Sequence, residues 1–206
     1  FDESRARAVD HDVGDVVAHE QRLKRPKAEH VVANLGDQAL LLENQMLHAL
    51  RQVDSRATLA HLAYLNTYHA PTKVKPQPGI FLEFAPIYRS YEIPLRQRDT
   101  QFRNYSHGQL LDHLDANLEV FGSDGAQVLE YWLDESRFWR HLKPPRPARV
   151  KIPWDRSVFR ADLETYAQRG IRHITTFAVM IDGVYIKHFG PPPLDEYGAD
   201  LSNWPV

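Results

Sequence analysis

The apolar run IFLEFA at residues 80–85, which Gly79 precedes and Pro86 ends, is the clearest indication of the fold class. Three comparable runs are TLAHLAYLN at 58–66, AQVLEYW at 126–132 and IRHITTFAVM at 171–180. Each is short and nearly continuous in apolar residues, as is typical of a strand buried on both faces of a parallel sheet. The segments between the runs are long enough for the crossover connections that parallel strands require.

Amphipathic helices are predicted around these strands. The first spans about residues 38–53, where apolar residues recur at three- and four-residue steps. We expect its buried face to consist of Ala39, Leu42, Met46, Leu50 and Val53. Ser106 and Gln109 form a capping-box pattern at the start of a second helix. Asp155 is a natural N-cap for a third helix.

The order of elements is therefore helix, strand, strand, helix, strand, helix, strand. This order predicts an α/β fold with helices covering parallel strands, either as a small open sheet or as half of an eight-stranded barrel. Residues 1–37 are polar and charged, and we expect a peripheral arm there. Residues 38–206 contain all the predicted strands and are expected to form one α/β domain.

The composition excludes several classes of protein. Of 206 residues, 43% are apolar and 11% aromatic, which is ample for a packed core. Acidic residues outnumber basic ones by 27 to 25, which argues against a dedicated nucleic-acid-binding protein. The absence of cysteine excludes thiolate metal sites and cysteine nucleophiles. No run of about 18 apolar residues predicts a membrane span, and the first residues do not read as a signal peptide.

Candidate binding residues follow the carboxyl ends of the predicted strands, where parallel α/β folds place their ligands. The residues that this rule selects are Tyr64, Asn66, His69, Arg89, Tyr131, Trp132 and Asp134. Aromatic rings beside polar groups suit a sugar, because its C–H faces pack on rings while its hydroxyls form hydrogen bonds. The sequence therefore predicts a carbohydrate as the partner.

Glu83 and Glu130 are the candidate catalytic residues. Each is a lone carboxylate inside an apolar strand, where an ionised group is unfavourable unless it is paired. Two carboxylates that flank a glycosidic bond are the usual machinery of glycoside hydrolysis. Either residue could instead be paired with an arginine inside the fold, and Arg89 could be the partner of Glu83 or of Asp134. No His-Glu-x-x-His spacing occurs, so neither a metal nor another cofactor is expected.

Three blocks together resemble a bacterial family, the domain of unknown function 4838. The blocks are FLEFAPIYR at 81–89, VLEYWLD at 128–134 and GIRHITTFA at 170–178. The resemblance implies the last four strands of a glycoside-hydrolase-like (β/α)8 TIM barrel, with the first four strands absent. It favours Glu130 as the catalytic or sugar-binding residue, with Glu83 and Arg89 second. It also implies an exported protein, secreted or periplasmic.

The expected function is therefore hydrolysis of a glycosidic bond by paired carboxylates. One alternative is a carbohydrate-binding module without a working acid pair. Another is a structural half-barrel, because an open half would leave two sheet edges uncovered. Such a half would need the missing barrel half, another chain or a second copy of itself.

Overall fold

The computed structural model describes residues 34–139 and 149–204. The strands are β1 (Leu59–Ala63), β2 (Ile80–Phe84), β3 (Gln101–Phe102), β4 (Tyr105–Ser106), β5 (Gln127–Glu130) and β6 (His173–Thr176). Four of them form a parallel sheet in the order β1-β2-β5-β6, and β3 and β4 form a small antiparallel hairpin. The predicted α/β fold with parallel strands and covering helices is confirmed.

The helices connect and cover these strands. They are α1 (Leu35–Arg51), α2 (His107–Phe121), α3 (Glu135–Trp139), α4 (Arg156–Ala167), α5 (Gly183–Phe189) and α6 (Leu194–Ser202), with a 3-10 turn at Leu65–Thr67. The capping box is confirmed, because the Ser106 side chain accepts from the Gln109 amide while the Gln109 side chain accepts from the Ser106 amide. Asp155 caps α4 as predicted. No helix of the described residues is long and apolar enough to cross a membrane.

The two faces of the sheet differ in how they are covered. Alternate residues point to opposite faces of a strand. We call the first the covered face. There a core shared with α2 and α4 buries Leu82, Phe84 and Val128. We call the second the open face. Its residues are exposed or half-buried, and they include Leu62, Phe81, Glu83, Gln127 and Leu129. The strands are therefore buried on one face, whereas their apolar runs predicted burial on both.

Helix α1 is oriented differently from the prediction. Its buried apolar residues are Leu40 and Leu47, which pack with Ile80 of β2. The residues expected to be buried include Leu42, which is 59% exposed, and Val53, which is 92% exposed. Periodicity located the helix, but a second apolar stripe on the same helix contacts the sheet.

The boundary of the predicted arm is also wrong. Asn34 caps α1, so the residues from Leu35 onward already belong to the domain. Asp37 is buried, and its carboxylate accepts backbone hydrogen bonds from Thr72, Lys73 and Val74 at 2.8–3.0 Å. Burial by itself would raise the pKa of Asp37, but these hydrogen bonds together hold it below its usual value. Residues 1–33 of the arm lie outside the described residues.

Candidate functional site

A pocket of about 310 Å³ opens at the carboxyl ends of all four parallel strands. We call it the ring pocket, and its lining consists of Leu62, Tyr64, Ala85, Ile87, Leu129, Tyr131, Asp134, Ser136, Phe177 and Val179. It lies at the end of the open face, where parallel α/β folds generally bind ligands. Three of the residues predicted there, Tyr64, Tyr131 and Asp134, are brought together.

Aromatic rings form one wall of the ring pocket. The rings of Tyr131 and Phe177 stack with their centroids 5.2 Å apart and their planes 27° apart. The Phe177 amide donates to the Glu130 carbonyl at 2.9 Å, which extends the β5–β6 pairing and places Phe177 beside Tyr131. Burial is the main cause of a raised pKa of the Tyr131 hydroxyl, and the neighbouring Tyr64 and Glu130 raise it further. The hydroxyl therefore stays protonated at neutral pH.

Asp134 supplies a carboxylate to the same pocket. It precedes α3, and its Oδ1 accepts a hydrogen bond from the Ser136 amide at 2.9 Å. Its own amide donates to the Tyr131 carbonyl at 3.1 Å, which fixes the turn after β5. Asp134 is the one acidic residue among the described residues that line the pocket.

Glu130 lies outside the ring pocket, enclosed on the covered face. Its side chain is fully buried, and Oε1 pairs with Nη1 of Arg89 at 2.9 Å. The Tyr91 hydroxyl donates to Oε2 at 3.1 Å, and the Tyr166 hydroxyl donates to Oε1. Burial raises the pKa of Glu130, although Arg89 and the two hydroxyls oppose the shift. No exposed surface remains on this carboxylate for a substrate.

Arg89 and Trp132 belong to the same buried network. Nη2 of Arg89 pairs with Oδ2 of Asp162 at 2.6 Å, and Arg89 is itself fully buried. The Trp132 indole donates to the same Asp162 oxygen at 3.2 Å. The other oxygen of Asp162 accepts from the Leu95 amide at 2.7 Å. Arg89 therefore joins the loop after β2 to α4, and Trp132 joins the segment after β5 to the same helix.

The expectation that Glu83 and Glu130 meet in one cleft is wrong. Glu83 is paired with Gln127 in the β2–β5 register, and its Oε1 accepts from the Gln127 side chain at 2.6 Å. Both of these residues lie on the open face, whereas Glu130, three positions after Gln127, lies on the covered face. An odd separation along a strand reverses the direction of a side chain, so the sheet lies between the two carboxylates.

Asn66 and His69 lie outside the ring pocket as well. Asn66 is exposed in the 3-10 turn after β1. His69 is exposed and contacts His113 of α2 edge-on, with ring centroids 4.6 Å apart. Burial, and then the proximity of His69, lowers the pKa of His113. No group of three or more potential metal ligands occurs in residues 34–139 and 149–204.

Several residues of these sites were missed by the sequence analysis. Asp162 has a usable signal, because it lies on the apolar side of α4 between Phe159 and Tyr166, where an acid requires a partner. Tyr91 has no such signal, since it lies in an irregular polar loop. Phe177, by contrast, lies near the end of the fourth predicted run, where the strand-end rule already looks for ligands.

Comparisons with models of protein families, with curated proteins and with solved structures found no match to this chain. The resemblance to the domain of unknown function 4838 therefore stays a prediction.

Proposed function

We propose that the ring pocket binds a carbohydrate. The observation that carries the proposal is the stacked pair of Tyr131 and Phe177 beside the Asp134 carboxylate, at the carboxyl ends of four parallel strands. Phe177 is 40% exposed, so its ring offers an apolar face that a sugar ring can cover. Asp134 and the Tyr64 hydroxyl supply polar groups of the kind that orient a ligand in a largely apolar pocket.

Binding is supported better than hydrolysis. Hydrolysis requires two carboxylates that flank one bond, and Glu130 is engaged by Arg89 behind the sheet. Asp134 is the one acidic residue among the described residues that line the pocket. A second carboxylate would have to come from another segment or another chain. Glycoside hydrolysis thus stays a prediction that depends on another segment or chain.

A glycan array followed by calorimetry tests the binding proposal. We expect Phe177→Ala to abolish binding of any glycan that the wild-type protein binds on the array, because the exposed face of the Phe177 ring is lost. Phe81→Ala is the matched control, since it removes a ring from the amino-terminal part of the same open face. Equal binding by both variants would contradict the proposal. Turnover of chromogenic glycosides that Asp134→Asn abolishes would establish hydrolysis instead.

We also propose that the sheet is one half of a (β/α)8-type barrel that a partner completes. Its four strands are parallel and follow the order of the chain, as consecutive barrel strands do. The two edge strands, β1 and β6, each have one side that pairs with no other strand of the described sheet. Its open face, which would be the barrel interior, leaves Leu62 39% exposed.

Exposed apolar side chains on α1 and in the segment after β6 support this second proposal. On α1, which packs beside β1, the exposed residues are Leu35, Leu41, Leu42, Met46 and Leu50. After β6 they are Phe177, Val179, Val184, Ile186 and Leu194. Contiguous exposed apolar surface is typical of a face that another chain or domain covers.

Light scattering coupled to size-exclusion chromatography tests the need for a partner. We expect the wild-type protein to self-associate, and we expect Leu42→Glu combined with Met46→Glu to weaken that association. Gln45→Glu combined with Ala49→Glu is the matched control, because it places the same two charges, four residues apart, at other exposed positions of α1. A monomer at all concentrations, for the wild-type protein as for the variants, would contradict completion by a second copy.

A further inference from the structure

We propose that a second, smaller cavity beside Arg137 binds a carboxylate group. This Arg137 cavity has a volume of about 60 Å³ and lies between the loop after β2 and helix α3. Its lining consists of Arg89, Ser90, Tyr91, Glu92, Phe102, Arg137 and Phe138. It shares no lining residue with the ring pocket, so the proposal does not depend on carbohydrate binding.

Arg137 is a buried cation with incomplete hydrogen bonding. The residue is 8% exposed, and its Nη2 donates to the Ile87 carbonyl. Its Nε is buried and has no hydrogen-bond partner in the part of the chain that the structure describes. The guanidinium carbon lies 5.9 Å from the centre of the Tyr131 ring. No carboxylate of residues 34–139 and 149–204 forms an ion pair with Arg137.

Arg89 lines the same cavity but is already paired. Its guanidinium contacts Glu130 at 2.9 Å and Asp162 at 2.6 Å. It also donates to the carbonyls of Ser90 and Ile93. Arg89 therefore has its counter-ions among the described residues, whereas no carboxylate of those residues pairs with the similarly buried Arg137.

The chemistry of Arg137 and the size of its cavity define the class of ligand. A buried guanidinium without an anion is unfavourable, because desolvation is not compensated by an opposite charge. A carboxylate has two oxygens that match the planar donors of arginine. The Arg137 cavity, at about 60 Å³, has roughly a fifth of the volume of the ring pocket, at about 310 Å³, so a small group such as a carboxylate suits it better than a whole sugar ring. Glu92 is exposed at the cavity and opposes an anion there.

Acetate is the probe, and the arginine Nε–H resonances of the ¹⁵N-labelled full chain are the measurement. We expect the Arg137 signal to shift saturably with acetate at about pH 7, where acetate is ionised. Acetamide, which has the same shape without the charge, should leave the signal in place. Glu92→Gln should tighten acetate binding, because it removes the opposing charge.

Variants test whether Arg137 carries the binding. Arg137→Met should weaken acetate binding by at least ~10-fold, measured by competition with a fluorescent carboxylate. Arg96→Met is the matched control and should bind as the wild type does, because Arg96 is exposed and paired with Glu164. If Arg137→Met fails to fold, Arg137→Lys keeps the charge but loses the planar fork and should still bind more weakly.

Galacturonate and galactose distinguish the sources of the carboxylate. Galacturonate that binds more tightly than both acetate and galactose would assign the group to an acidic sugar, whereas equal binding of acetate and galacturonate would assign it to a small free acid. The proposal is overturned if acetate does not saturate, or if it binds Arg137→Met as well as the wild type. Arg137 would then only hold α3 against the loop after β2, through its bond to the Ile87 carbonyl.

Discussion

The covered and open faces of the sheet use similar side chains in different ways. On the covered face, Glu130 is fully buried among Arg89 and two tyrosine hydroxyls. On the open face, Glu83 is half-buried and has a neutral partner, Gln127. The first carboxylate joins β5 to the loop after β2 and to α4, whereas the second forms one hydrogen bond to the neighbouring strand. A carboxylate within an apolar strand therefore indicates a partner before it indicates catalysis.

Removal of the central cation of the covered face should have the largest effect. We expect Arg89→Met to lower the free energy of unfolding by ~3–5 kcal/mol, because Glu130 and Asp162 would remain buried without their cation. Urea denaturation measures the loss. Arg96→Met, which breaks an ion pair whose side chains are 58% and 63% exposed, should change stability by less than ~1 kcal/mol. Equal losses would contradict the assignment of Arg89 as the centre of the network.

Leucines on the two faces provide the next comparison. Leu82→Ala on the covered face should cost ~2–5 kcal/mol, because the side chain is fully buried and a cavity would form. Leu62→Ala on the open face should cost less than ~1 kcal/mol in the isolated chain. Both are measured by urea denaturation at low protein concentration. A large loss for Leu62→Ala would mean that the open face is already covered under those conditions.

A histidine beside Arg89 should make stability depend on pH. Burial, and then the Arg89 charge, lowers the pKa of His107 to about 4. The neutral ring donates from Nδ1 to the Pro94 carbonyl and accepts the Ser90 amide at Nε2. Because the folded pKa lies below the unfolded value of ~6.5, stability is fully present above that value and is lost as the pH falls toward 4, by up to ~3 kcal/mol.

Denaturation between about pH 7 and pH 4 measures this loss. It should be smaller in His107→Gln, which cannot take up the proton. His173→Gln is the matched control, since it removes an exposed imidazole of the open face and should leave the loss in place. Identical pH profiles for His107→Gln and the wild type would contradict the assignment.

The two glutamates themselves should show the smallest difference. Glu130→Gln should cost ~1.5–3 kcal/mol, because a charge-assisted bond to Arg89 is lost while Asp162 still pairs with the cation. Glu83→Gln should cost less than ~0.5 kcal/mol at its half-exposed position. The free energies come from urea denaturation of the two isosteric variants. A reversed order would mean that the open face carries the structural carboxylate.

Much of the fold was predictable because its signals are local. The capping box of Ser106 and Gln109 and the N-cap at Asp155 involve residues three or fewer positions apart, and both are confirmed. The face of α1 was predicted wrongly because two apolar stripes occur on one helix, and periodicity does not indicate which one the sheet covers. Helices α3 and α5, of five and seven residues, are too short to have a recognisable period.

The candidate site was less predictable because its contacts join distant parts of the chain. Glu130 and Arg89 are 41 residues apart, and Arg89 and Asp162 are 73 apart. The strand pattern identified Glu130 as unusual but gave no information about the residue that balances its charge. The ring pocket was partly predicted, because Tyr64, Tyr131 and Asp134 follow strand ends in a fold whose parallel order could be inferred.

The agreement between strand order in the sheet and strand order in the chain has a consequence for how the protein is made. As β2, β5 and β6 leave the ribosome in turn, each finds its lateral neighbour already synthesised, so the sheet can grow in one direction without waiting for a later strand. β1 is the first strand of this sheet to emerge, and its outer edge has no partner among the described strands while the rest of the sheet is added. Nascent chains on one messenger should therefore be able to associate through β1 before translation ends.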